Sequence, residues 1–205
     1  MTALVDVTLL AEVFITLFVI MDPPGTIPLF LSLTGGRSPA LRKRAAWQAV
    51  GVAFGVIVAF ALFGRQLLEY LHISLPALQT AGGLLLLLVA LELLTGKTDD
   101  ATHSADVNVA LVPLGTPLLA GPGAIVATMV FVEQVDGSAE LVGVAIGLVA
   151  IHVVLWLTMR YSVVILRLIR ESGVTLVTRI SGLLLSAIAV QLVADAVRAF
   201  IAGEG

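Results

Sequence analysis

The residues Asp22-Pro23-Pro24-Gly25-Thr26 place one carboxylate, two prolines and a glycine inside an apolar run that extends from 8 to 33. Proline has no amide hydrogen and clashes with the turn before it, so the stretch interrupts a helix. Asp22 suits the N-cap of the piece that follows, and Pro23 suits its first position. A carboxylate at mid-membrane costs at least about 2.5 to 3.5 kcal/mol, and a Ser cap would cost less. Asp22 is therefore a candidate to hold a cationic group or carry a proton, besides capping. A second run, 108 to 133, contains Pro113, Gly115, Thr116, Pro117, Gly121, Pro122, Gly123 and Ala124. Thr116 reads as a cap before Pro117. The amides near Gly121, Gly123 and Ala124 form a positive helix terminus with no anion of its own, where an exogenous carboxylate fits. A small zwitterion would satisfy both places at once, which favours an amino acid over a sugar or a simple anion. Glycines at 25, 121 and 123 leave room for a small solute. The candidate substrate set is Asp22, Gly25, Thr26, Thr116, Gly121, Gly123 and Ala124.

Asp22, His152 and Glu92 are the candidates for coupling to a proton or ion. His152 lies in the middle of VAIHVVLWL, where it either relays protons or hydrogen-bonds a neighbouring helix. Glu92 lies near the end of its run, and Gln191 occupies the matching place in the last run as an interhelical hydrogen bonder. The polar loop GKTDDATHSAD (96 to 106) lacks any recognised metal-ligand spacing. No cofactor is expected beyond a coupling proton or sodium ion. The sequence has no cysteine, no His-Glu-x-x-His and no Gly-x-Ser-x-Gly, so an enzyme is not expected.

The 205 residues are 59% hydrophobic and 12% charged, with mean hydropathy +1.10. That is the composition of an integral membrane protein. A net charge of −3 argues against nucleic acid as a partner. Apolar runs long enough to cross a layer about 30 Å thick fall at 8 to 33, 45 to 63, 76 to 94, 108 to 133, 140 to 159 and 180 to 201. The fold expected is all-α with six transmembrane helices, the first and fourth broken at their Pro/Gly motifs. The segments 65 to 74 and 160 to 173 read as connectors at the membrane surface. Arg37, Arg42, Lys43, Arg44, Lys97, Arg160, Arg167, Arg170 and Arg179 fall on one side, and only Arg65 and Arg198 on the other. Short cytoplasmic loops retain positive charge, so both termini are expected outside.

The chain also repeats itself. Pro24-Gly25-Thr26-Ile27 aligns with Pro122-Gly123-Ala124-Ile125, Gly51 and Gly55 with Gly143 and Gly147, and GLLLLLVALEL (83 to 93) with GLLLSAIAVQL (182 to 192). Each half, 1 to 98 and 99 to 205, then holds three spans, and an odd number inverts the second half. Inverted repeats are typical of secondary transporters, whose sites lie where discontinuous helices meet near the midplane. The small-xxx-small pairs suit close packing, either within one chain or between copies in a homo-oligomer. A passive channel for a small polar solute remains the alternative, since facing half-helices also build channel filters. An exporter of another small metabolite and a membrane protein with no transport role are further readings.

The stretches MDPPGTIPLFLSLT (21 to 34) and PLLAGPGAI (117 to 125) resemble the paired signatures of the MarC family of bacterial and archaeal membrane proteins. The resemblance covers essentially the whole chain. It implies a six-helix inverted-repeat carrier in a prokaryotic plasma membrane, for small neutral amino acids such as alanine and glycine. Members of the family commonly carry Asn where Thr26 stands, so the polar contact at this position differs.

Overall fold

A computed structural model describes residues 5–96 and 119–203, and all regular structure among them is helical. The helices are α1 (Val7–Met21), α2 (Pro23–Leu33), α3 (Pro39–Leu71), α4 (Leu75–Thr95), α5 (Pro122–Glu133), α6 (Ser138–Arg160) and α7 (Ser162–Ala202). Their ends follow local chemistry. The side chains of Asp6, Ser38 and Ser74 accept the amides of Leu9, Leu41 and Ala77, three residues on, and so cap α1, α3 and α4. Proline stands in the first turn of α3 and α4, where a missing amide costs nothing. Gly96 and Gly203 close α4 and α7 in the left-handed conformation.

Taken together, Val7–Leu33 is long and apolar enough to cross a membrane, as are α3, α4, α6 and α7. α5 is a shorter apolar helix, and the part of its run before Leu119 lies outside the described residues. Large apolar side chains face outward along the bundle, among them Leu84, Leu88, Leu183 and Leu184. A helix that is apolar on its outer face as well as its inner one suits hydrocarbon, not water.

Two boundaries differ from the sequence expectation. The segment 65 to 74 is not a separate surface connector: α3 continues to Leu71, and its 33 residues make it about 50 Å long. Arg65 and Glu69 sustain the last turns as an exposed i, i+4 ion pair of 3.0 Å. Likewise 160 to 173 is not simply a connector, because helix resumes at Ser162 and departs from helical geometry only at Arg170 (φ 62, ψ 166). From there α7 runs on to Ala202, so the helix that holds the last apolar run begins well before residue 180.

Small residues set the packing. α4 lies along α7 in antiparallel fashion, with Gly83 against Ala189 and Val193 and Gly182 against Ala90 and Leu93. A Cβ on Gly83 would stand 2.8 Å from the Ala189 carbonyl oxygen, too close for any side chain. α1 runs parallel to α6, where Gly143 meets the Asp6 carbonyl and Gly147 meets Val13. α2 packs on α6 and α7, and α5 packs on α3 and α4. The Asp6 amide donates to the Ala139 carbonyl (3.2 Å) and Arg65 pairs with Glu133 (3.0 Å), so these helix ends share one side of the bundle. Trp47 and Trp156 meet edge to face at 6.3 Å, joining the start of α3 to the end of α6.

Candidate functional site

The α1–α2 junction is set by Asp22, which adopts a left-handed conformation (φ 39, ψ 68) that Asp tolerates better than most residues. Its amide still donates to the Phe18 carbonyl (3.1 Å), and its carbonyl accepts from the Thr26 amide (3.1 Å). The backbone therefore passes from α1 into α2 through one residue. The Asp22 side chain is 5% exposed and folds over the first turn of α2, occupying the space that a Cβ on Gly25 would need. It faces the Gly25 amide and the hydroxyls of Thr178 and Ser181 on α7. None of these closes a well-formed hydrogen bond: both carboxylate oxygens and Thr178 Oγ1 are buried without a partner. Buried polar groups left unpaired in this way are rare and call for an explanation.

The other residues singled out in the sequence fall as follows. Thr26 is buried, and its hydroxyl donates to the Pro23 carbonyl (2.7 Å). Gly121 caps α5 in an extended conformation and supplies no side-chain hydrogen bond. Its carbonyl accepts from the amides of Ala124 (3.0 Å) and Ile125 (3.2 Å), so the Ala124 amide is engaged in the first turn. Gly123 is buried beneath Leu86 of α4, whose side chain fills the space a Cβ would need. The room at Gly25 and Gly123 is thus taken up by Asp22 and by Leu86. Thr116 lies outside the described residues.

His152 stands apart from Asp22, on the face of α6 turned to α3. A carbonyl cannot donate, so Nδ1 carries the proton given to Leu148 on its own helix (2.8 Å). Nε2 has no partner, and the ring meets Phe54 edge to face at 5.0 Å. The bond to a neighbouring helix that the sequence suggested is not formed. A groove of about 260 Å³ runs past it, lined by Trp47, Gly51, Phe54, Val149 and Trp156. Glu92 is exposed one turn before the end of α4. Gln191 donates to Asp195 on its own helix (2.9 Å), and no interhelical bond of its side chain is formed among the described residues. A cavity of about 260 Å³ at the end of the bundle, lined by Arg65, Glu69, Ser74, Met129 and Glu133, contains none of the sequence candidates.

Thr178 and Ser181 were not visible from sequence reasoning. One signal could have found them: they are spaced i, i+3, one helical face, just before the Gly182 that packs on α4. Arg179 between them marks the spot as a membrane boundary to any hydropathy window.

The sequence matches the model described as MarC family integral membrane protein over residues 7–201. It is 35% identical over 192 residues to a UPF0056 membrane protein of Methanocaldococcus jannaschii, covering 90% of this chain and 94% of that one. It is similar to UPF0056 membrane protein YvbG of Bacillus subtilis, 31% identical over 195 residues (90% and 92% of the two chains). UPF0056 membrane protein YhcE of Escherichia coli is 29% identical over 199 residues (93% and 92%). No solved structure matches. Helices apolar on every side and a likeness that runs nearly end to end agree: the chain belongs to the MarC family of integral membrane proteins.

Proposed function

We propose that the protein is a secondary transporter of small neutral amino acids of the alanine and glycine class, coupled to a proton or sodium ion and working by alternating access. In this reading the halves 1 to 98 and 99 to 205 are inverted repeats, and the first and fourth spans are broken helices that meet near the midplane. The observation that carries it is the buried Asp22 carboxylate, unpartnered where α1 gives way to α2. A group so costly in hydrocarbon is retained where a substrate or ion offsets its charge. Two packing features support the repeat. The aligned glycines Gly83 and Gly182 face the aligned alanines Ala189 and Ala90, each across the same helix pair. In addition, α2 packs on the last span of the other half, and α5 packs on the last span of the first. The arginine and lysine distribution supports a reading in which both termini lie outside a prokaryotic plasma membrane.

Counterflow in proteoliposomes tests the function. Vesicles preloaded with unlabelled alanine or glycine should take up external labelled solute transiently against its gradient, with a response to imposed proton or sodium gradients. Uptake that never exceeds equilibrium would indicate a pore, and no uptake of any neutral amino acid would remove the substrate class.

A further inference from the structure

Pro23 and Pro24 act on both helices that they separate. The carbonyls of Val19 and Ile20 would accept amide hydrogens four residues on, from Pro23 and Pro24, which have none. No other backbone or side-chain donor reaches these carbonyls among the described residues. The same prolines leave the Gly25 amide as the first donor that α2 can present. The junction therefore carries two carbonyls without an amide partner at the negative end of the α1 dipole, beside the Gly25 amide at the start of α2. Across from it stand the hydroxyls of Thr178 and Ser181, with Thr178 Oγ1 buried and unpaired.

We propose that this junction is a site for a monovalent cation, held by the Asp22 carboxylate, Thr178 Oγ1, Ser181 Oγ and the carbonyls of Val19 and Ile20. Two sources share that chemistry, a sodium ion and the primary ammonium head of the solute. One carboxylate matches one positive charge. A divalent ion would leave an uncompensated charge in a medium of low dielectric constant, and such ions collect more carboxylates than this junction supplies. A proton on Asp22 lets the carboxyl and the Thr178 and Ser181 hydroxyls satisfy one another, but still leaves the Val19 and Ile20 carbonyls short of donors. The inference rests on the carrier reading for its place in transport, but not for the existence of the site.

The test uses the full chain in detergent and reads the thermal unfolding midpoint. Sodium chloride is titrated against choline chloride at constant ionic strength, then methylammonium chloride against choline, and alanine against propionate, which lacks the ammonium group. A saturable rise with sodium identifies the ion as the occupant; a rise with methylammonium and alanine but not propionate identifies the ammonium head. In either case Thr178→Val and Ser181→Ala should weaken the apparent affinity by about tenfold or more, and Thr178→Ser should restore it. The proposal is overturned if no cation moves the midpoint relative to choline, or if both variants respond as the parent does. Alanine counterflow without any cation response would sink the site and leave the carrier. A cation response without counterflow of any neutral amino acid would remove the proposed substrate class and leave the site.

Discussion

The start of α2 and the start of α5 are related by an offset of 98 residues, and nearly every polar feature of the first is absent from the second. Asp22 has Ala120 as its counterpart, Pro23 has Gly121, and Thr26 has Ala124, while Pro24 and Gly25 keep their identities as Pro122 and Gly123. The first junction passes through a left-handed aspartate, the second through a glycine at φ −64, ψ 161. Gly25 makes way for a carboxylate and faces Thr178, whereas Gly123 makes way for Leu86. Pro23 lacks the amide that its counterpart Gly121 carries, while Gly25 and Gly123 both keep theirs. The first start thus buries a carboxylate, and the second buries an apolar side chain.

The largest expected effect lies in the residue that separates the two ends most. Asp22→Asn keeps the side-chain volume and the tolerance of a left-handed backbone, and removes the charge. Transport in proteoliposomes should fall to background while the protein inserts and purifies normally. Parental rates in this variant would erase the functional distinction between the two junctions.

Next come the two glycines, which should respond differently to the same added methyl. In Gly25→Ala the new Cβ takes the place of an Asp22 oxygen, so the carboxylate must swing away from Thr178. Transport should drop by at least about tenfold, the change that roughly 1.4 kcal/mol of lost binding produces, with a smaller change in thermal stability. In Gly123→Ala the clash is with a Leu86 side chain in a packed interface. Overpacking of that kind costs about 1 to 3 kcal/mol, and trimming Leu86 to Ala in the same chain should recover part of it. Equal effects of the two substitutions on transport and on stability would contradict the contrast drawn between a polar and an apolar helix start.

How much of this was legible in the sequence depends on what each residue type signals. The apolar runs were legible, because hydropathy over about 20 residues acts locally. Charged residues hid how far two helices extend beyond their apolar runs. Arg65 and Arg179 look like the ends of spans, but α3 and α7 carry them as exposed helical residues beyond or beside the apolar stretch. That error also hid Thr178, which sat outside the expected last span. The partners of glycines were not legible either. An open glycine and one whose missing Cβ is replaced by Asp22 or Leu86 read the same until the neighbouring helix is in place. His152 illustrates the remaining difficulty: its choice between a bond to its own helix and one across the bundle depends on rotamer and helix rotation, neither of which the sequence states.

The smallest effect should come from making the first junction resemble the second at one more position. Thr26 is buried, and its hydroxyl is already donated to the Pro23 carbonyl at 2.7 Å, whereas its counterpart is Ala124. Thr26→Ala removes the second donor to that carbonyl, which keeps the helical Ile27 amide, and opens a small space. The loss should amount to about 0.5 to 1.5 kcal/mol of stability, read as a modest fall in the thermal midpoint. Thr26→Ser, which retains the donor, should recover most of that. Apparent affinity for solute should change little in either variant, because the hydroxyl's single hydrogen is directed at the backbone. A large loss of affinity in Thr26→Ala with stability unchanged would mean that the hydroxyl turns toward the solute during transport. The difference between the two helix starts would then extend one turn further into α2 than Asp22 and its α7 partners account for.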